Sequence, residues 1–578
     1  MAHAFDLVVR GGEVADGTGA PLRRADVGVV DGRIAAVGRG LASGREEIDA
    51  KGRLVTPGFV DIHTHYDGQS TWDERLTPSS WHGVTTAVMG NCGVGFAPVR
   101  PQDRDRLIEL MEGVEDIPGT ALHEGIAWGW DGFPEYLDML AARRFDIDVC
   151  AQLPHGALRL YVMGERGARL EQATDDDIVD MRRLTAEAMR AGAIGFSSSR
   201  TLNHRTVRGD PTPSLRATEA ELTGIALGMT DAGRGVMELI SDFNAPDMET
   251  EFAMIRRLVA ASGRPLSLSL AQSHRNPERW RRLLRLIGEA AASGLPMRAQ
   301  VAPRPIGMLL GLQASANPFS SLPSYRAIAA SPLAARLASM RDLGLRARLL
   351  AEAAEPARNG RGRRLMDFER IFRLGSTPEY EPPREDSIAA IAAREGRPAD
   401  DVAYDLLIAE DGRNFLFAPL SNYAHGNLDA CGEMIADPNT IMGLGDGGAH
   451  VGLIADASFP TYLLMHWGRD RSRGRFDVSW LVKRQTRDTA DAVGLHDRGT
   501  VAPGYKADLN VIDFDALALD LPFMAFDLPA GGKRLLQKAR GYTATIVSGV
   551  TVYRDGEPTG ALPGRLVRGP QTAPERKD

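Results

Sequence analysis

Residues 56–67 read TPGFVDIHTHYD, and this is the most informative stretch of the chain. A Pro-Gly pair leads into an apolar run, which predicts a short buried strand. Because side chains alternate along a strand, Asp61, His63 and His65 are expected to share one face. Two imidazoles on one face can bind a single divalent metal ion; the alternative is a pair of histidines that merely close a strand. We expect the metal site, since the strand delivers both rings to one end.

The flanking segments extend this strand into a repeated strand–helix architecture. Between about residues 56 and 490, helical stretches alternate with apolar strands that read FDIDVCAQL, AIGFSS, GVMELIS, PLSLSLA, PMRAQVA and NFLFAPL. The number of these units predicts a parallel (β/α)₈ barrel of the TIM type in the α/β class, with functional side chains at the carboxyl ends of its strands. A helix is expected over 175–192, with Thr174 as its N-cap and Gly192 at its end.

Both ends of the chain have a different texture, with short alternating strands broken by Gly, Asp and Pro turns. Residues 1–55 and 491–562 are therefore expected to be rich in β-strands, the first part as a small antiparallel unit. Residues of about 305–400 lack a clean strand register and predict an insertion or lid in the barrel. Residues 563–578 have the composition of a loose tail.

Composition and charge exclude several classes of function. The 578 residues carry a formal net charge of −8, so the chain lacks the basic surface that nucleic acid requires. No run reaches the roughly 18 apolar residues that span a bilayer, and the opening residues do not resemble a secretion signal. The three widely separated cysteines do not suggest disulfides. We expect a cytoplasmic protein with a small-molecule substrate and neither nucleic-acid nor membrane partners, and large barrel enzymes often form homo-oligomers.

Four motifs resemble the amidohydrolase superfamily, and within it the N-acyl-D-amino-acid deacylase (D-aminoacylase) group. They are PGFVDIHTHYD, GVTTAVMGNCGVGFAPV, GLGDGGAH and VAPGYKADLNVID, which together span nearly the whole chain. The resemblance implies a barrel beside a small β-sandwich domain made from both chain ends, residues 1–55 and 491–562. It also implies a metal at the barrel mouth and hydrolysis of an amide bond by metal-activated water. In the group's pattern, the histidine pair matches His63 and His65, the cysteine matches Cys92, and the aspartate of the last strand matches Asp446.

The residue types are suited to these roles. A thiolate is a good zinc ligand, and Cys92 lies in a glycine-bracketed turn that lets the backbone approach a metal; the alternative is a small core residue. Asp446 can ligate the metal and take a proton from the attacking water, whereas the alternative is an ordinary Asp-Gly turn. His450 is expected to orient Asp446 or the substrate unless it lies on the surface. No lysine lies between Lys51 and Lys483, which excludes a two-metal centre built on a carboxylated lysine.

The pattern departs from the group on the fifth and sixth strands. The group places metal histidines there, but GVMELIS and PLSLSLAQSH put Ile240 and Leu270 at about those positions. Glu238 or His274 is a candidate replacement ligand. Without either, the four matched residues, or the same set without the cysteine, hold a single Zn²⁺ ion; the sequence leaves one or two divalent ions open.

A second departure concerns the carboxylate of the substrate. The group presents a basic residue just beyond the sixth-strand histidine, but this chain has Gln272 there. Arg200 and Arg275 are candidates for this role because a guanidinium pairs a carboxylate in bidentate fashion, although most arginines are solvated surface residues. The polar segment SSSRTLNHR brings Arg200 and His204 toward the barrel mouth, and His274 follows the sixth strand. We expect these residues to contact the substrate.

These observations predict a metal-dependent hydrolase of carbon–nitrogen bonds other than peptide bonds. Its substrate is expected to be a small N-acyl compound, as for a deacylase of N-acyl-D-amino acids, with Asp446 as the catalytic residue. One alternative is hydrolysis of a cyclic amide, an ester or a natural-product amide at the same site. Another is a non-hydrolytic metal lyase or decarboxylase, since a fold does not determine a reaction. A third is a binding protein on a decayed scaffold, which the retained ligand set opposes.

Overall fold

The computed structural model describes residues 3–355 and 365–575, and its centre is an eight-stranded parallel sheet. In spatial order the strands are Phe59–Asp61, Val84–Met89, Asp148–Pro154, Gly195–Arg200, Val236–Ser241, Leu266–Ser269, Met297–Val301 and Thr440–Met442. The first and last strands meet beyond their ends, where the His65 amide donates to the Gly447 carbonyl at 2.7 Å and the Asp446 amide donates to the His63 carbonyl at 3.0 Å. The sheet thus closes almost completely, and the predicted barrel is confirmed.

Helices surround the barrel because each apolar strand is followed by an amphipathic segment that can cover it. They are Gln69–Trp72, Arg104–Glu115, Gly119–Gly125, Phe133–Ala141, His155–Met163, Glu165–Ala168, Asp175–Ala191, Glu219–Asp231, Met248–Ser262, Arg279–Ala292, Asp429–Ala436, Phe459–Met465, Val478–Gln485 and Arg487–Ala492. The predicted helix after Thr174 is confirmed. The Thr174 hydroxyl accepts from the Asp177 amide, the Asp177 carboxylate accepts from the Thr174 amide, and Gly192 ends the helix with a φ of 118°.

Strands from both ends of the chain form a separate nine-stranded sheet. They are Phe5–Val14, Arg23–Val30, Arg33–Gly38, Gly44–Asp49, Leu54–Pro57, Leu509–Ile512, Tyr542–Val547, Val550–Arg554 and Glu557–Pro558. Most pairs are antiparallel, but the first strand runs parallel to the fourth and fifth, so the opening residues are not the purely antiparallel unit expected. After the third strand the chain crosses to the free edge of the first strand instead of adding another hairpin. Two small ribbons complete this part of the chain, Ala518–Leu519 with Ala539–Arg540 and Phe523–Leu528 with Gly532–Leu536.

The segment between the last two barrel strands has its own core. A three-stranded antiparallel sheet contains Gly307–Gly311, Phe372–Arg373 and Phe415–Pro419. Its helices are Pro323–Ala329, Leu333–Met340, Leu343–Ala354, Ile388–Glu395 and Ala399–Ile408. These strands pair in a regular register, whereas the sequence predicted an insertion over 305–400 without a clean strand register. The run NFLFAPL was expected in the barrel, and this prediction is wrong, because an apolar run shows that a strand is buried but not which sheet receives it.

Residues 563–575 pack along the outside of the barrel, which differs from the loose tail expected there. Gly564 and Phe145 exchange backbone hydrogen bonds of 2.8 and 3.0 Å, and the Val567 amide donates to the Val149 carbonyl at 2.8 Å. Amino-acid composition does not reveal these backbone hydrogen bonds, which hold the segment against the barrel. Within the described ranges, every helix is too short or too polar to cross a bilayer.

Candidate metal centre

The first barrel strand delivers two histidines to the barrel mouth. His63 and His65 follow Phe59–Asp61, their side chains are each 1% exposed, and their ring centroids lie 5.5 Å apart. Gln300, on the seventh strand, accepts from His63 Nδ1 at 2.7 Å, which leaves the Nε2 lone pair free to bind a metal. Burial lowers the pKa of His65 to about 4, so its imidazole is neutral at pH 7 and can also act as a ligand.

A strained turn presents Cys92 to the same point. Cys92 follows the second strand with a φ of 53°, in the left-handed region that non-glycine residues rarely adopt. The Glu238 carboxylate accepts from the Cys92 amide at 2.9 Å, and the Ser197 hydroxyl accepts from the Gly93 amide at 2.9 Å, so side chains of the fifth and fourth strands hold the turn in place. The Cys92 Sγ atom lies 3.4 Å from His63 Nε2. Potential ligand atoms of His63, His65 and Cys92 all lie within 4.8 Å of one another.

Asp446 approaches this group from the loop after the eighth strand. Its Oδ1 atom lies 3.3 Å from His63 Nε2 and 3.6 Å from His65 Nε2. Burial alone raises the pKa of the Asp446 carboxyl, but the hydrogen bond with His65 and the nearby charge of His63 outweigh burial and hold this pKa below its usual range. Asp446 is therefore a carboxylate at neutral pH and can accept a proton.

Glu115 completes the polar side of the site, and the sequence analysis missed it. Its carboxyl is 1% exposed, with Oε1 at 3.4 Å from His65 Nδ1 and Oε2 at 3.5 Å from His450 Nε2. Burial raises the pKa of this carboxyl well above its usual range, and the negative charge of Asp446 raises it further. Glu115 belongs to no motif and ends an ordinary amphipathic helix, so only the tertiary structure brings it to the site. The sequence analysis also missed Gln300, which lies on the seventh strand and belongs to no motif.

A cavity of about 640 Å³ opens over these polar groups. His63, His65 and Cys92 contribute to its lining, together with Asp446. An apolar part of the lining consists of Ile240, Phe243, Leu270, Trp280, Leu283, Ile306 and Leu444. Ile240 and Leu270, which the sequence analysis expected at the positions of the group's metal histidines, thus face the cavity. Since the fifth strand lies across the barrel from the first, the site has one side that carries the candidate metal ligands and an opposite, apolar side.

The other residues expected at the substrate or the metal are divided between the cavity and its surroundings. His204 and His450 line the cavity, and the Ser199 hydroxyl lies 2.9 Å from His204 Nδ1. Burial lowers the pKa of His204 to about 3. Glu238 is buried beneath the cysteine turn and lies outside the compact group of possible ligand atoms.

Arg200 and His274 were expected to contact the substrate, but in the structure they contact other side chains of the protein. Along the fourth strand, Ser197 and Ser199 face the barrel interior, so Arg200 faces the surrounding helices. There it forms two hydrogen bonds of 2.5 and 3.1 Å with Glu251. His274 Nδ1 lies 3.0 Å from the Arg370 guanidinium, and neither Arg200 nor His274 is among the described residues that line the cavity.

The donor set fits a divalent metal ion. Two imidazoles, a thiol and a carboxylate are the ligand types that zinc-like ions prefer. His65 Nδ1, Glu115 Oε2 and Asp61 Oδ2 are buried with no hydrogen-bond partner among the described residues, and burial raises the pKa of Asp61 to about 7. A cation among these groups offsets the cost of burying several carboxyls together.

A family model described as the amidohydrolase family matches residues 46–553. An uncharacterized protein of Mycobacterium tuberculosis is 29% identical over 606 aligned residues, covering 96% of this chain and 92% of its own length. An N-acyl-D-glutamate deacylase of Alcaligenes xylosoxydans xylosoxydans is 32% identical over 313 residues, covering 53% of this chain and 58% of its own length. The resemblance predicted from the four motifs is confirmed.

Two solved deacylase structures are similar to nearly the whole chain. A D-aminoacylase mutant in complex with CuCl₂ has a TM-score of 0.66 and 26% identity, covering 98% of this chain and all of its own. N-acyl-D-glutamate deacylase from Bordetella bronchiseptica, complexed with zinc and a phosphonate mimic of the tetrahedral intermediate, has a TM-score of 0.65 and 25% identity, covering 98% of this chain and 99% of its own. Another D-aminoacylase structure, with a TM-score of 0.65, is described as having a binuclear metal centre.

Proposed function

The chain belongs to the amidohydrolase family, and we propose that it is a zinc-dependent deacylase that hydrolyses the amide bond of a small N-acyl-D-amino acid. The observation that carries the proposal is the convergence of His63, His65 and Cys92 on one point, with Asp446 Oδ1 3.3 Å from His63 Nε2 and a cavity of about 640 Å³ above them. The zinc in the similar N-acyl-D-glutamate deacylase structure supports the choice of metal.

The residues of the site divide the chemistry among them. His63, His65 and Cys92 would hold a divalent ion, which would supply the Lewis acidity that polarises an amide carbonyl and lowers the pKa of a water molecule. Asp446 accepts the proton of the attacking water at a carboxylate oxygen and returns it to the nitrogen of the leaving amine. Gln300 keeps His63 Nε2 pointed toward the cavity.

Two arginines at the rim of the cavity are suited to the carboxylate of the substrate. Arg275 and Arg279 both line the cavity, and neither forms an ion pair within the described parts of the chain. Arg279 Nε is buried without a hydrogen-bond partner among the described residues. A carboxylate at this rim places the rest of the substrate between the apolar side and the metal-binding side.

Arg275→Ala and Arg279→Ala are each expected to raise KM for an N-acyl amino acid by roughly tenfold or more. Loss of a hydrogen bond to a charged group costs about 1.5–3 kcal/mol, and 1.4 kcal/mol corresponds to tenfold in affinity. The measurement is KM for the free acid and for its neutral carboxamide. The KM for the carboxamide should change little in either variant. The control is Arg285→Ala, a substitution at an exposed position on the helix that begins at Arg279. Equal losses for acid and carboxamide would assign the arginines to structure instead.

The proposed function is tested with purified protein and a panel of amides. The substrates are N-acetyl-D- and N-acetyl-L-amino acids, a cyclic amide and a simple ester, each with added Zn²⁺ and with a chelator, and the readout is the amine or acid released. We expect the protein to release acetate and the free amino acid from the N-acetyl-D-amino acids, and we expect the chelator to abolish this release. Cleavage of only the cyclic amide or the ester would replace this substrate assignment, and no cleavage of any compound would reject it.

A further inference from the structure

The end of one helix is attached to the loop that carries Asp446. Helix Arg104–Glu115 ends where Asp116 turns left-handed, with a φ of 51°. At that end the Glu115 carbonyl accepts from the His450 amide, and the Asp116 carboxylate accepts from the Gly452 amide at 3.2 Å. The helix terminus thus holds a loop more than 300 residues away in sequence through two backbone amides.

This loop has an unusual backbone that needs such support. Leu444, Asp446 and His450 have φ values of 60°, 47° and 46°, all in the left-handed region. Several non-glycine residues in this region persist together only when surrounding contacts over-determine the conformation. Since Asp446 belongs to the strained loop, contacts that hold the loop also set the position of its carboxylate.

The Glu115 side chain extends the same attachment to a metal-binding histidine. Oε1 lies 3.4 Å from His65 Nδ1, and Oε2 lies 3.5 Å from His450 Nε2. On its other side, His65 Nε2 lies 3.6 Å from Asp446 Oδ1, so the imidazole stands between two carboxyl groups. The positive charge of a bound divalent ion would favour the ionised form of Glu115. A carboxylate behind a metal-binding imidazole fixes the orientation and tautomer of the ring, and loss of such a partner typically weakens metal binding 10–100-fold.

We propose that Glu115 is a positioning residue that orients His65 for metal binding and, through His450, holds the loop that carries Asp446. The inference rests on the proposed function for its catalytic consequence, but its two structural consequences are independent of any substrate. They are tighter binding of a divalent ion and protection of the loop from local opening.

The test compares Glu115→Gln with wild type and with Asp105→Asn, the same change at an 81% exposed site on the same helix. Zinc affinity is measured by competition with a chromogenic chelator, and amide hydrogen exchange is followed in peptides covering 446–454. We expect Glu115→Gln to bind zinc 10–100-fold more weakly and to exchange faster in these peptides, and Asp105→Asn to match wild type. In turnover of an accepted amide, we expect kcat to fall while KM changes less than about twofold.

A second variant separates the two arms of the contact. His450→Gln removes the imidazole that faces Oε2 but leaves Glu115 against His65, so exchange should rise while zinc affinity stays closer to wild type. Thermal melting and circular dichroism check that each variant is folded. Wild-type zinc affinity and wild-type exchange in folded Glu115→Gln would overturn the inference. If no amide is cleaved by any form, the zinc and exchange results still decide it.

Discussion

Asp446→Asn is expected to lower kcat by about two to four orders of magnitude, the range over which a positioned general acid–base group contributes. Asparagine has nearly the same shape and keeps an oxygen that can face His63 and His65, but an amide cannot accept the proton of the attacking water. Asp446 is suited to this role because its carboxyl is ionised at neutral pH, its pKa being held low against the effect of burial by the two histidines. The measurement is steady-state kinetics on the best substrate of the panel.

The control for this prediction is Asp411→Asn, which changes a carboxylate that is 74% exposed and paired with Arg341. Metal content should be measured on the same samples, because the prediction requires that zinc stays bound to the Asp446 variant. If the variant turns over at nearly the wild-type rate with full metal, Asp446 has no part in proton transfer.

The double variant His63→Ala/His65→Ala is expected to lose its metal ion and, with it, its amide hydrolysis. These imidazoles are two of the three donors that lie within 4.8 Å of one another, and the remaining thiol cannot hold the ion alone. We expect about one zinc ion per wild-type chain and less than about a tenth of that in the variant, by elemental analysis after dialysis. At a free zinc concentration about ten times the wild-type Kd, the wild type is about nine-tenths occupied, and a tenth of that occupancy corresponds to a roughly hundredfold weaker Kd, about 2.8 kcal/mol of binding free energy.

The matched control is His123→Ala/His496→Ala, which removes two histidines with side chains 56% and 48% exposed. This variant should keep its metal and its activity. If the His63→Ala/His65→Ala protein is folded and retains wild-type zinc after dialysis, the metal site lies elsewhere in the chain. Equal metal loss in the control would point to nonspecific binding at surface histidines.

Features that depend on neighbouring residues could be predicted from the sequence. The alternation in TPGFVDIHTHYD places His63 and His65 together at the end of one strand, and in the structure their rings lie side by side. Thr174 and Gly192 mark the start and the end of one helix, because each residue forms its capping hydrogen bonds with residues no more than four positions away. The repeated strand–helix pattern predicted the barrel, since its period reflects local burial.

The sequence by itself therefore determined the barrel, the β domain formed from both chain ends, and the residue types that gather at the barrel mouth. Only the tertiary structure decided which of the remaining polar residues reach the site. Glu115 enters from a helix end and Gln300 from the seventh strand, whereas Arg200 turns outward to Glu251 and His274 meets Arg370. The physical reason is that periodicity sets the face on which a side chain lies, but contacts distant in sequence decide what that face meets.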